Sequence, residues 1–95
     1  MIKPHLLVHD RKDNVGVVVV EDLAPGTQML AVVTEDNSDF RIEAAEAVPI
    51  GHKIALCDLK PGDSAIKYGQ DIGKMVAPVA KGRHVHVHNL KTRRW

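Results

Sequence analysis

Apolar residues in this chain come in short runs, each cut off by a cluster rich in Gly, Pro, Asn or Asp. Residues 6–9 form the first run, which ends in His9-Asp10-Arg11-Lys12-Asp13-Asn14, a loop by composition. Val15-Gly16-Val17-Val18-Val19-Val20 follows, β-branched, too short for a helix and apolar at odd and even positions alike. That pattern predicts a strand buried on both faces. In Asp22-Leu23-Ala24-Pro25-Gly26-Thr27 the proline fixes φ and the glycine supplies a positive φ, so a turn is expected. Residues 29–34 are strand-like, Asp36-Asn37-Ser38-Asp39 reads as a loop, and Phe40-Arg41-Ile42 is extended again. Glu43-Ala44-Ala45-Glu46-Ala47 has helix-friendly composition but is too short for more than one helical turn.

The second half repeats one idea. Pro49-Ile50-Gly51, Lys60-Pro61-Gly62, Tyr68-Gly69 with Ile72-Gly73, and Ala80-Lys81-Gly82 recur about ten residues apart. Between them lie predicted strands at residues 52–56, 64–68, 74–79 and 84–90. Short strands at such spacing, separated by glycine turns, indicate an all-β sandwich or barrel. Asp22-Leu23-Ala24-Pro25-Gly26 and Asp58-Leu59-Lys60-Pro61-Gly62 echo one another, a likeness expected to end at the turn.

Composition narrows the picture. Ninety-five residues fit one domain, taken as 1–95, and a 44% hydrophobic content supports a packed core. Aromatics make up only 3%, so the core is expected to be aliphatic. Thirteen basic residues against 12 acidic ones leave no one-sided field, which argues against a nucleic-acid or membrane-surface partner. No apolar run approaches the roughly 20 residues that span a bilayer. The single cysteine, Cys57, cannot form an internal disulfide and is expected to be a buried, inert thiol. Together these point to a reducing, cytoplasmic setting.

The chemistry concentrates in Arg83-His84-Val85-His86-Val87-His88-Asn89. On a strand, His84, His86 and His88 share one face, and Val85 and Val87 bury on the other. Neighbouring imidazoles there stand about 6.6 Å apart and the outer two about 13 Å. Two can close on one metal ion, but three would be stretched, so the shell needs His52, a carboxylate such as Asp58, a partner chain or substrate oxygens. Imidazole with oxygen suits iron, manganese or zinc. The same imidazoles could instead act as acid or base near neutral pH. His52 opens a strand directly after Gly51, and Lys67 stands at a strand end where it could hold a carboxylate or remain solvated. The ending Arg93-Arg94-Trp95 has the composition of interface anchors, although chain ends are commonly frayed. No nucleophile elbow, phosphate loop, Cys-x-x-Cys or His-Glu-x-x-His occurs.

Read in order, Pro49-Ile50-Gly51-His52-Lys53-Ile54-Ala55-Leu56-Cys57-Asp58-Leu59, Ile66-Lys67-Tyr68-Gly69 and Gly82-Arg83-His84-Val85-His86-Val87-His88-Asn89-Leu90 resemble the SAF domain of the altronate and galactarate dehydratase family. The resemblance covers essentially the whole chain. It implies a β-clip fold, a large partner subunit and a divalent metal of the iron type, with manganese or zinc as alternatives. It also implies a lyase reaction on a small carboxylate or sulfonate. Carried over by position, His52, His86 and Asn89 become catalytic candidates, Lys53 and Lys67 substrate-binding candidates, and His84, His86 and His88 metal candidates. Free-standing small subunits of this length in the family point to removal of sulfite from a sulfonated hydroxy acid by a complex in which this chain alone is inactive. A sugar-acid dehydratase subunit is the alternative of the same class. A non-catalytic module that captures metal or a carboxylate is the alternative of another class.

Overall fold

A computed structural model describes residues 3–91 as nine short strands, with no helix among the described residues. They are β1 (Leu6–Val8), β2 (Val15–Val18), β3 (Gln28–Val33), β4 (Ser38–Glu43), β5 (Lys53–Ala55), β6 (Ser64–Lys67), β7 (Gln70–Met75), β8 (His84–Val85) and β9 (Leu90–Lys91). Six strands form one sheet in the order β4-β3-β1-β2-β5-β8, and three form a second in the order β6-β7-β9. Neighbours are antiparallel except β1 and β3, which run parallel. The chain is all-β, as its turn spacing predicted.

The large sheet is buried on both faces near its centre, which accounts for the valine run. Val18 joins Leu6, Val8, Ala31, Val33 and Ile54 in one core cluster. Val15, three positions earlier and therefore on the opposite face, joins Ala55 and Val85 in a second cluster. The small sheet closes that second cluster with Ala65, Met75 and Leu90. Burying one such aliphatic side chain stabilises the fold by roughly 1.5–3 kcal/mol, so a polar residue on either face of β2 would be costly.

Four turns of one kind punctuate the chain: Ala24-Pro25-Gly26-Thr27, Pro49-Ile50-Gly51-His52, Lys60-Pro61-Gly62-Asp63 and Ala80-Lys81-Gly82-Arg83. In each, the fourth amide donates to the first carbonyl and the glycine has φ between 86° and 91°, the geometry of a type II turn. The echo between residues 22–26 and 58–62 has a structural counterpart within the two copies. Leu23 bridges Val48 and Leu59 bridges Val79, so both copies pair in the same way.

Residues 43–47, too short for more than one helical turn, form none; they leave β4 and bend. Other local expectations are corrected. The strand expected at 74–79 starts earlier and ends at Met75, and the one expected at 84–90 is split into β8 and β9. Cys57 is exposed rather than buried, because it lies just past the end of β5 and belongs to neither core cluster. Arg93, Arg94 and Trp95 lie outside the described residues. Among the described residues, no helix is long and apolar enough to cross a membrane.

Candidate metal centre and anion cavity

Two of the four type II turns build the site. The turn ending at His52 feeds β5, and the turn ending at Arg83 feeds β8. β5 and β8 pair antiparallel with Ile54 opposite His84. His52 is two residues before Ile54, so the pleat places it on the same face as His84. Nδ1 of His52 lies 2.7 Å from Nε2 of His84.

After Val85 the chain turns back instead of extending. The Asn89 carboxamide causes this: its Oδ1 accepts from the His86 amide at 3.0 Å and its Nδ2 donates to the His84 carbonyl at 2.9 Å. A side chain that bonds nearby backbone in this way competes with the sheet ladder and ends it. The Asn89 and Leu90 amides both donate to the His86 carbonyl, tightening the turn. His86 is thereby stacked on His52, ring centroids 3.7 Å apart and planes 11° from parallel.

The turn corrects the expectation of three histidines along one strand. Val85 is fully buried as expected, but Val87 is 71% exposed, since it lies in the turn. The group brought together is His52, His84 and His86, whose potential ligand atoms all lie within 4.8 Å of one another. His88 is exposed, with its ring 4.8 Å from that of His84 and tilted by 45°, outside this trio. Folding back removes the stretch that an extended strand would have imposed. Asp58 does not join the trio; its Oδ1 accepts from the Lys81 amide.

The surroundings of His84 and His86 favour neutral imidazole. Burial, then the neighbouring His88 and His52, push the His84 pKa down, against an opposing pull from Glu46. Removal from water, then His52 and Lys53, push His86 down as well. Uncharged nitrogens are what a divalent ion requires. Three imidazoles leave at least one coordination position for another ligand, the arrangement of a reactive rather than a closed structural site. The donor set therefore fits a divalent metal.

Beside the trio lies a cavity of about 370 Å³ whose wall includes His86, Lys53, Lys67, Tyr68, Ile72 and Leu90. Lys53 is half-buried, and its pKa is lowered by that burial and then by the charge of Lys67. The ion pairs among the described residues are Arg11–Asp36 and Arg83–Glu46, so neither cavity lysine has a carboxylate partner there. Two crowded ammonium groups on an apolar wall suit a small organic anion.

Two positioning residues were not anticipated. Glu46 reaches from the bend after β4 to accept from the His84 amide at 3.0 Å, fixing the start of β8. Buried Asp13 accepts from the His9 and Asp10 amides through Oδ2, and from the Gly69 amide through Oδ1 at 2.8 Å. Its neighbour Asn14 donates to the Ser64 carbonyl and accepts from the Ile66 amide. Together they fasten the 9–14 loop to the hairpin that carries Lys67. Asp-Asn inside a polar loop was the available signal, since both side chains commonly bond nearby backbone.

An all-β chain that sets a histidine trio against a two-lysine cavity defines a small binding or catalytic module. The altronate/galactarate dehydratase SAF domain family matches residues 4–93, and the chain belongs to that family. It is 46% identical over 89 residues to (2R)-sulfolactate sulfo-lyase subunit alpha of Chromohalobacter salexigens, covering 94% of this chain and 95% of that protein. To the subunit of the same name in Paracoccus pantotrophus it is 63% identical over 67 residues, 70% of this chain and 100% of that one. Altronate dehydratase of Escherichia coli is 43% identical over 91 residues, which cover 96% of this chain but 16% of the dehydratase. The relatives are thus lyase subunits and dehydratases, and in the dehydratase the matched region is a small part of a larger enzyme.

Proposed function

We propose that this chain is the small subunit of a lyase that eliminates sulfite from (2R)-3-sulfolactate to give pyruvate, acting in the cytoplasm with a larger partner subunit and inactive alone. The observation that carries the reading is the His52–His84–His86 trio beside the Lys53–Lys67 cavity, in a chain that matches sulfo-lyase alpha subunits over nearly their full length. In this reaction the proton on C2 is removed, the C3–S bond breaks and sulfite leaves with the bonding pair. The enol that remains tautomerises to pyruvate. No oxidant or reductant is needed.

Lys53 and Lys67 together hold one acidic group of the substrate in the cavity. His52, His84 and His86 hold a divalent ion, with iron the first candidate and manganese or zinc the alternatives. When bound, the ion supplies charge stabilisation for the enolate that develops as the C2 proton departs. His88, outside the trio but next to His84, is the imidazole at this site left to carry a proton. Asn89 acts as a positioning residue, because its carboxamide is engaged by the backbone that holds His84 and His86. A 95-residue chain with an open cavity encloses little substrate, so the larger subunit completes the site.

The identity to altronate dehydratase favours a second reading, a subunit of a sugar-acid dehydratase. Co-purifying the native complex and assaying it with (2R)-3-sulfolactate, altronate and galactarate separates the two. Sulfite release from the first substrate is expected. Water loss from a sugar acid with no sulfite release would assign the dehydratase reading instead. Full activity of the large subunit alone would make this chain a non-catalytic module.

A further inference from the structure

The hairpin between β6 and β7 turns on two residues, Tyr68 and Gly69, with φ of 57° and 69°. A two-residue hairpin with positive φ at both positions ordinarily takes Asn-Gly or Asp-Gly, because side chains with bulk at Cβ rarely adopt this conformation. Here the first position carries a tyrosine that is 54% exposed, so core packing does not account for it. The turn is held from outside by the Asp13 carboxylate on the Gly69 amide. The ring packs 4.3 Å from that of His9, whose Nδ1 lies 3.1 Å from the Thr34 hydroxyl. On the cavity side, the Lys67 ammonium sits 4.3 Å from the centre of the same ring. Tyr68 and Lys67 also line a second cavity of about 210 Å³, together with His9, Thr34, Val17 and Val19.

We infer that Tyr68 is a positioning residue for the anion site: its ring holds the Lys67 ammonium beside Lys53, so that the pair grips one acidic group of the substrate. A lysine has four rotatable carbons and is free to swing toward solvent, whereas an aromatic face fixes its charge through the ring quadrupole. The two ammonium groups share one cavity wall and repel, and a fixed partner keeps Lys67 from moving away. His9 and Thr34 in turn fix the ring. This inference deepens the proposed lyase reading and rests on it for the identity of the substrate.

Tyr68→Asn and Tyr68→Gly suit the turn's backbone and remove the ring; Tyr68→Phe keeps the ring and removes the hydroxyl. In the reconstituted two-subunit enzyme, Tyr68→Asn and Tyr68→Gly are expected to raise KM for sulfolactate about tenfold with kcat within twofold of wild type. Tyr68→Phe should leave both within twofold. A residue that served only the turn would give wild-type KM in the Asn variant, and that result overturns the inference. So does a Phe variant as impaired as Asn, since it would assign the effect to the hydroxyl. A second readout does not depend on turnover: the isolated full chain is titrated with inorganic sulfate while the Lys67 side-chain NMR signals are followed. Sulfate is expected to shift these signals in wild type and to bind about tenfold more weakly in Tyr68→Asn. Equal sulfate affinity in the two proteins, or none in wild type, overturns the inference. Weakened sulfate binding alongside an enzyme that releases no sulfite supports the role of Tyr68 while refuting the lyase reading.

Discussion

Asn89 is 6% exposed, and both ends of its carboxamide are bonded to the chain segment that carries the histidines. Replacing it with alanine leaves a part-buried carbonyl and amide without these partners, a cost of about 1 kcal/mol or more. It also frees His86 from its place over His52. Asn89→Ala is therefore expected to weaken binding of Co²⁺, used as a spectroscopic probe, by about 10- to 100-fold, as loss of outer-shell support does at other metal sites. Titration of the d–d absorption checks this, and unchanged affinity would remove Asn89 from the account. A second single-residue prediction concerns acid stability. The hydroxyl and amide of Ser38, then Arg11, hold the Asp36 carboxyl at a pKa of about 2. The unfolded chain binds that proton nearer pH 3.9, so between roughly pH 4 and pH 2 the unfolded state carries more protons than the folded one. Stability is present above that window and lost as pH falls through it. Urea midpoints measured across the window should decline less steeply in Asp36→Asn than in wild type.

At the scale of elements, the four type II turns explain why the site forms where it does. Two of them start the strands that bring His52 and His84 together, and the glycine of one is closely packed. At Gly82, with φ of 86°, an added Cβ would sit 2.4 Å from the Glu43 carbonyl oxygen. Gly82→Ala is expected to cost more than about 1 kcal/mol, because both the φ and the close approach oppose it. It should also push aside the segment bearing Glu46, and with it the His84 amide. Thermal unfolding tests the first effect and Co²⁺ binding the second. Gly26→Ala serves as the comparison: its φ is 87° but no atom lies within 4 Å of the added Cβ, so the φ penalty alone remains. These turns were legible in the sequence because Pro and Gly act locally. The valine run was legible too, since two-sided burial leaves an unbroken β-branched stretch in place of an alternation. Residues 84–90 were not, because alternating His and Val match a half-buried strand and the side chain that breaks it, Asn89, acts from beyond the alternation.

For the molecule as a whole, the sequence carried the fold class and most of the site's membership but not its grouping. His52 and His84 are separated by 32 positions, and only the pairing of β5 with β8 brings them together. His88, adjacent in sequence, ends up exposed and outside the trio. Glu46 and Asp13 act through backbone amides, which leave no pattern of residue types to read. The exposed Val87 and Tyr68 next to the cavity, with Lys53 and Lys67 lacking carboxylate partners among the described ion pairs, give the site an open side that accords with a larger subunit closing over it.

The most direct test of the account is the rate of sulfite release from (2R)-3-sulfolactate by the two-subunit enzyme when the trio is disrupted one residue at a time. His52, His84 and His86 are half-buried at a strand end or turn rather than in either core cluster, so alanine at each should leave the fold intact by circular dichroism. Each substitution is expected to lower kcat at least 100-fold, with bound metal falling alongside. Val76→Ala, exposed and outside the cavity wall, should retain wild-type kcat and metal content. Wild-type turnover in His52→Ala, with the complex assembled, would contradict the central claim that this trio is the chemical site.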